Sequence, residues 1–123
     1  MKAVFLVFLG GGLGSALRYG VGKWLNNSET AFPLGTFSVN ILGSLIIGII
    51  LGYALKNESI SQNTLLFLAT GFCGGFTTFS AFAYENFDLL KNGDLVNSGI
   101  YTLSSLIFGI GAVYLGVWLI KFF

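Results

Sequence analysis

The sequence predicts an all-α membrane protein of four spans, the third broken near its middle, and three observations carry that expectation. Of 123 residues, 54% are apolar and only 9% charged, with a mean hydropathy of +0.83. Those values belong to a chain whose solvent is lipid. Uncharged stretches run over residues 30–55, 59–84 and 95–120, and a fourth, 3–24, is interrupted only by Arg18 and Lys23. Each reaches the roughly 20 helical residues that a hydrocarbon core of about 30 Å requires. The third observation is Gly74-Gly75-Phe76-Thr77-Thr78, set among Phe72, Phe79 and Phe82. Glycine is costly in a helix and adjacent threonines crowd the preceding turn, so this stretch should bend or break the ladder. Freed carbonyls inside a membrane survive only where protein buries them or where they line a cavity.

The first span is expected at about 3–25. Lys2, an apolar run and the small residues Gly14, Ser15 and Ala16 imitate a secretory signal, but the run continues to Trp24 at spanning length. Gly10-Gly11-Gly12-Leu13-Gly14 fits neither the dinucleotide fingerprint nor a phosphate loop with its lysine. Later spans fall at about 34–55, 64–88 and 96–121, and residues 1–123 read as a single membrane domain. Function is therefore expected from embedded residues.

Several classes of chemistry are excluded at once. Cys73 is alone and histidine is absent, so one chain offers no disulfide, zinc site or Ser/His/Asp set, and the protein is not expected to be an enzyme. A net charge of +1 provides no patch for nucleic acid.

With four spans, Lys2, Lys56 and Lys121 fall on one side and Lys23 and Lys91 on the other, joined by Arg18 if it reaches that interface. Lysine and arginine near span ends set orientation, and here they favour neither. A chain that inserts both ways can meet its inverted copy about a two-fold axis in the membrane plane, so an antiparallel, dual-topology dimer is expected. Small-xxx-small spacing at Gly10/Gly14, Gly48/Gly52 and Gly71/Gly75 offers close helix contacts.

Polar residues inside the spans form faces. Thr36, Asn40 and Ser44 share one face of the second span; Thr77, Ser80 and Tyr84 one of the third; Tyr101 and Ser105, with Thr102 and Ser104 beside them, one of the fourth. Hydroxyls often only glue helices together. Asn40 differs, because a buried amide must be satisfied and can donate two hydrogens to an anion. Arg18 either snorkels to the interface or gives an aqueous vestibule positive potential. Phe79 and Phe82 lie on one face beyond the break, and ring edges carry partial positive charge that can touch an anion weakly enough to release it. Glu29, Glu58 and Asp94 fall in loops and Glu85 and Asp88 at the end of the third span, so no carboxylate is expected inside the uncharged stretches.

Three blocks then resemble the Fluc/CrcB family of small fluoride channels: residues 14–19 (GSALRY), residues 33–40 (PLGTFSVN) with Gly43-Ser44, and residues 71–82 (GFCGGFTTFSAF). The resemblance spans the chain; Ser15 and Ala81 stand where alanine and threonine are expected. It implies passive, selective fluoride export through an antiparallel homodimer, or a paired-subunit heterodimer, with two pathways lined by both subunits. It implies a structural sodium ion at the dimer centre, held by the backbone carbonyls of Gly74 and Thr77 from each copy; oxygen dipoles suit a hard cation. Phe79 and Phe82 would supply ring edges, Asn40 an amide, Ser80 a hydroxyl and Arg18 the vestibule charge. Thr36, Tyr101 and Ser105 would form a polar track opposite the rings. Small size and the resemblance suggest a bacterial inner membrane, entered in both orientations. Two other classes share the size: a proton-coupled exporter of organic cations, disfavoured by the missing acid, and a non-conducting membrane scaffold.

Overall fold

The computed structural model describes residues 1–26 and 29–123. Four helices in it are long and apolar enough to cross a membrane, covering Lys2–Leu25, Leu34–Lys56, Gln62–Lys91 and Leu95–Ile120. Helix α1 is Lys2–Leu25 and α2 is Leu34–Lys56. The third span is composite: α3 (Gln62–Leu65), a π-helical run (Leu66–Cys73), α4 (Gly74–Phe76) and, after a gap, α5 (Phe79–Lys91). Helix α6 is Leu95–Ile120. Residues 27 and 28, part of the expected loop between the first two spans, lie outside the described residues.

Caps explain where elements begin. Ser61 accepts the Thr64 N–H at the start of α3, Thr78 the Ala81 N–H at the start of α5, and Asp94 the Asn97 N–H at the start of α6. At the end of α5, Gly93 takes φ 77°, and the Asp94 N–H reaches back to the Leu89 carbonyl at 2.8 Å. That left-handed cap closes α5 and turns the chain into α6 within three residues.

Packing is organised around glycine. A Cβ built on Gly10 would strike the Phe67 carbonyl, and one on Gly14 the Phe72 carbonyl. Gly75 faces α1 in return, where a Cβ would meet the Gly11 carbonyl. Helix α1 therefore lies backbone to backbone on the π-helical run and α4, the close approach that small-xxx-small spacing permits. Gly48 and Gly52 do the same against Val113 and Val117 of α6, and α2 with α6 forms the most extensive helix pair. Lys56 Nζ ties the ends of that pair, donating to the Ile120 carbonyl at 3.1 Å.

The break falls inside the stretch expected to break, and one expected polar face needs correction. Gly74 and Gly75 remain helical, Gly74 with φ −62° and ψ −37°; the break lies at Thr77 (φ −86°, ψ 159°) and Thr78 (φ −152°, ψ 119°). Thr77, Ser80 and Tyr84 consequently share no continuous face, because two extended residues reset the helical phase between them. The π-helical run was not expected at all. Its widened turns are visible where the Gly74 N–H reaches the Ala69 carbonyl, five residues back.

Candidate functional site

The break is held open by side chains. In a continuous helix the Thr78 N–H would bond the Gly74 carbonyl; here it donates to Asn40 Oδ1 at 2.8 Å, while Asn40 Nδ2 donates to the Thr78 carbonyl at 3.1 Å. Asn40 thus pairs with Thr78 as one peptide pairs with another, and one of its two amide hydrogens is left over. The Ala81 N–H, which a continuous helix would direct to the Thr77 carbonyl, goes to Thr78 Oγ1 at 3.1 Å. Above the break Thr77 folds back, its N–H and Oγ1 donating to the Cys73 carbonyl at 3.0 and 2.8 Å. The Gly75 carbonyl receives Arg18 Nε at 3.0 Å and Ser15 Oγ at 3.4 Å. The Gly74 and Thr77 carbonyls are thereby deprived of their helical donors, and a Cβ on Gly74 would meet only open space. Carbonyl oxygens freed in this way are ligands of the kind that hard cations take.

Two cavities flank the break. One, of about 440 Å³, is lined by Asn40, Ser44, Gly74, Thr77, Thr78, Phe79, Phe82 and Ser105 among others. The rings of Phe79 and Phe82 stand 5.7 Å apart, and Phe79 is 78% exposed within the single chain. The Ser44 hydroxyl is spent on its own helix, donating to the Asn40 carbonyl at 2.7 Å. Ser105 Oγ is different: among the described residues it is the buried side-chain polar atom with no hydrogen-bond partner. A buried hydroxyl left unpaired marks a place where a missing partner belongs.

The other cavity, of about 570 Å³, is lined by Arg18, Lys23, Asn26, Thr36, Thr78 and Glu85, with further residues of α1, α2 and α5. Arg18 donates from Nε to the Gly75 carbonyl and borders this polar space. Thr78 lines both cavities, so the break is the wall between them.

The expected polar track does not form one line. Asn40 and Ser105 border the first cavity and Thr36 the second, while Tyr101 is fully buried beneath Phe82, ring centroids 5.0 Å apart. Ser80 borders neither; its hydroxyl lies 3.2 Å from Thr78 Oγ1, beside the cap of α5. What joins Thr36 and Tyr101 is Glu85, whose carboxylate receives Thr36 Oγ1 at 2.8 Å and Tyr101 Oη at 3.0 Å. Glu85 was expected at the end of the third span, and it lies toward that end with two hydroxyls on its carboxylate. Helix α5 runs on to Lys91, which places Glu85 six residues, or about 9 Å at 1.5 Å per residue, inside its end. Its position three residues after Phe82, itself three after Phe79, is the sequence signal that puts all three on one face.

Residues 5–117 match the family described as CrcB-like protein, Camphor Resistance (CrcB). A protein of Gloeothece citriformis (strain PCC 7424) named "Fluoride-specific ion channel FluC" is 52% identical over 122 residues, 98% of each chain. A relative of the same name from Azobacteroides pseudotrichonymphae genomovar. CFP2 is 46% identical over 124 residues, covering 100% of this chain and 99% of its own. Another, from Chlorobium phaeobacteroides (strain DSM 266 / SMG 266 / 2430), is 46% identical over 98% of this chain and 94% of its own. With the match running through the break, the glycine contacts of α1 and both cavities, this chain belongs to the CrcB family.

Proposed function

We propose that this chain is a passive, fluoride-selective channel that lets cytoplasmic fluoride leave down its electrochemical gradient. The observation that carries the reading is the near full-length identity to relatives named as fluoride-specific channels. The unpartnered Ser105 hydroxyl beside paired phenylalanine rings supports it locally. The chain performs ion conduction and no enzymatic reaction. The exporter and scaffold readings have no support among those relatives, and both are set aside on that ground.

Fluoride is small and strongly hydrated, so a selective path must replace its water shell with donors while staying too narrow for larger halides. The Ser105 hydroxyl, the second amide hydrogen of Asn40 and the edges of Phe79 and Phe82 are those donors, and none holds the ion as a lysine would. Arg18 raises the positive potential of the polar cavity on the far side of Thr78, where Thr36 and Tyr101 attend Glu85. Ser80 supports the cap that starts α5. Neutral hydrogen fluoride crosses lipid and dissociates inside; a potential negative inside, worth about 2.3 kcal/mol per charge per 100 mV, drives the anion back out.

The functional unit is an antiparallel homodimer, inserted in both orientations in a bacterial inner membrane. The first cavity is open beside exposed Phe79 and Leu106 and an uncovered Gly74, and the carbonyls of Gly74 and Thr77 that lost their helical donors there would be costly against lipid unless a second copy covers them. Sodium bound by the Gly74 and Thr77 carbonyls of both copies would supply fixed positive charge that holds the two breaks together.

Purified protein in liposomes tests the reading. Fluoride release that is electrogenic, excludes chloride and needs no pH gradient is expected; pH-driven cation exchange or silence overturns it. Phe79→Ile and Phe82→Ile should lower fluoride release by at least about tenfold with the dimer retained on size exclusion. Replacing sodium by N-methylglucamine on both sides should abolish release.

A further inference from the structure

Beside Glu85, α5 carries a second polar residue that neither cavity uses. Asn86 Oδ1 accepts two hydroxyls of α6, Ser98 Oγ at 2.8 Å and Thr102 Oγ1 at 3.0 Å, and Asn86 Nδ2 donates to the Phe82 carbonyl at 3.1 Å. Ser98 is buried, and Asn86, Ser98 and Thr102 border neither cavity. The two hydroxyls sit one helical turn apart on α6 and flank Tyr101. Tyr101 in turn packs on Phe82 and donates to Glu85. One amide oxygen therefore fixes the register of α6 on α5 at the turn where Tyr101 must meet both.

We infer that Asn86 is a positioning residue of the ion pathway: through Ser98 and Thr102 it holds Tyr101 behind Phe82, and through the Phe82 carbonyl it holds the backbone from which that ring projects. A buried polar network specifies one arrangement, whereas apolar contacts between α5 and α6 tolerate sliding. The inference rests on the channel reading above, because it concerns how a pathway-lining ring is held.

Single-channel recording in planar bilayers separates positioning from mere stabilisation. A structural defect lowers the number of active channels and leaves the unitary current unchanged; a misplaced ring changes the unitary current itself. Asn86→Leu should lower the unitary fluoride current by about fivefold or more, as misplacement by about 1 Å does at other sites. The double variant Ser98→Ala/Thr102→Val keeps Asn86 and guards against a misfolded Asn86→Leu. It should reduce the current to the same extent, and combining all three changes should add nothing further, as expected of residues in one network. Wild-type unitary current in either variant, or additive losses in the triple one, overturns the inference. Wild-type protein silent toward fluoride overturns instead the channel reading.

Discussion

From Gln62 to Phe76 the third span is held by backbone pressed against backbone; from Phe79 to Lys91 it is held by side-chain hydrogen bonds. In the first half Gly10, Gly14 and Gly75 bring α1 and the π-helical run together so closely that a single Cβ has nowhere to go. In the second, Glu85 and Asn86 collect Thr36 from α2 and three hydroxyls from α6. The difference teaches where each half is vulnerable. Shape complementarity fails through added volume, while a polar network fails through a lost partner.

The largest effect is expected from volume. Gly10→Leu should destabilise the fold by about 3 kcal/mol or more, because the colliding atoms are backbone and cannot rotate away. Little folded protein should survive detergent extraction, and a wild-type yield and melting temperature would break the contrast. Asn40→Leu comes next, since it strips partners from both the N–H and the carbonyl of Thr78 in a water-poor setting. A loss of about 2–4 kcal/mol is expected, read as a lower unfolding midpoint together with reduced fluoride release. Thr36→Val and Tyr101→Phe each remove one donor from Glu85 and should cost about 1–3 kcal/mol apiece; a cycle combining them tests whether the carboxylate couples the two.

The smallest effect sits at the entrance to α6. Hydrogen bonds from the Asn97 side chain and then its N–H hold the Asp94 carboxyl below the usual aspartate range. A depressed folded pKa means stabilisation that is present above the unfolded value and lost as pH falls through the folded one. Asp94→Ala should lower the melting temperature slightly at neutral pH, and the gap should close in acid. A gap that persists or widens there would assign the cap to something other than the carboxylate.

Much of this architecture is legible in composition. Span number and approximate place follow from hydropathy and length, and the glycine pairs that suggest close packing do pack. The break was legible as a region but not as a residue. Propensity pointed alike to the glycine pair and the threonine pair, and Gly74 and Gly75 prove to serve open space and helix contact. Thr77 and Thr78 depart instead, because Asn40, 38 residues away in sequence, offers Thr78 the bonds its helix would have given. Glu85 was missed for a related reason. Its place near the end of a span says nothing of the partners from 49 and 16 residues away that gather on its carboxylate. Nothing local in Leu66–Cys73 announces a π-helix; it answers to the surface of α1.

That π-helical run carries a consequence for how this lineage can vary. The widened turns from Leu66 to Cys73 hold more residues than an α-helical ladder needs, so excising one of them would let an ordinary ladder reform while largely keeping the bearing of everything downstream. Thr77 and Gly75 would shift along the helix axis by about one residue's rise while the rings beyond kept much of their compass point. Single-residue deletions here should be more forgivable than the same deletions in the middle of α6, where each lost residue turns the rest of the helix by about 100°.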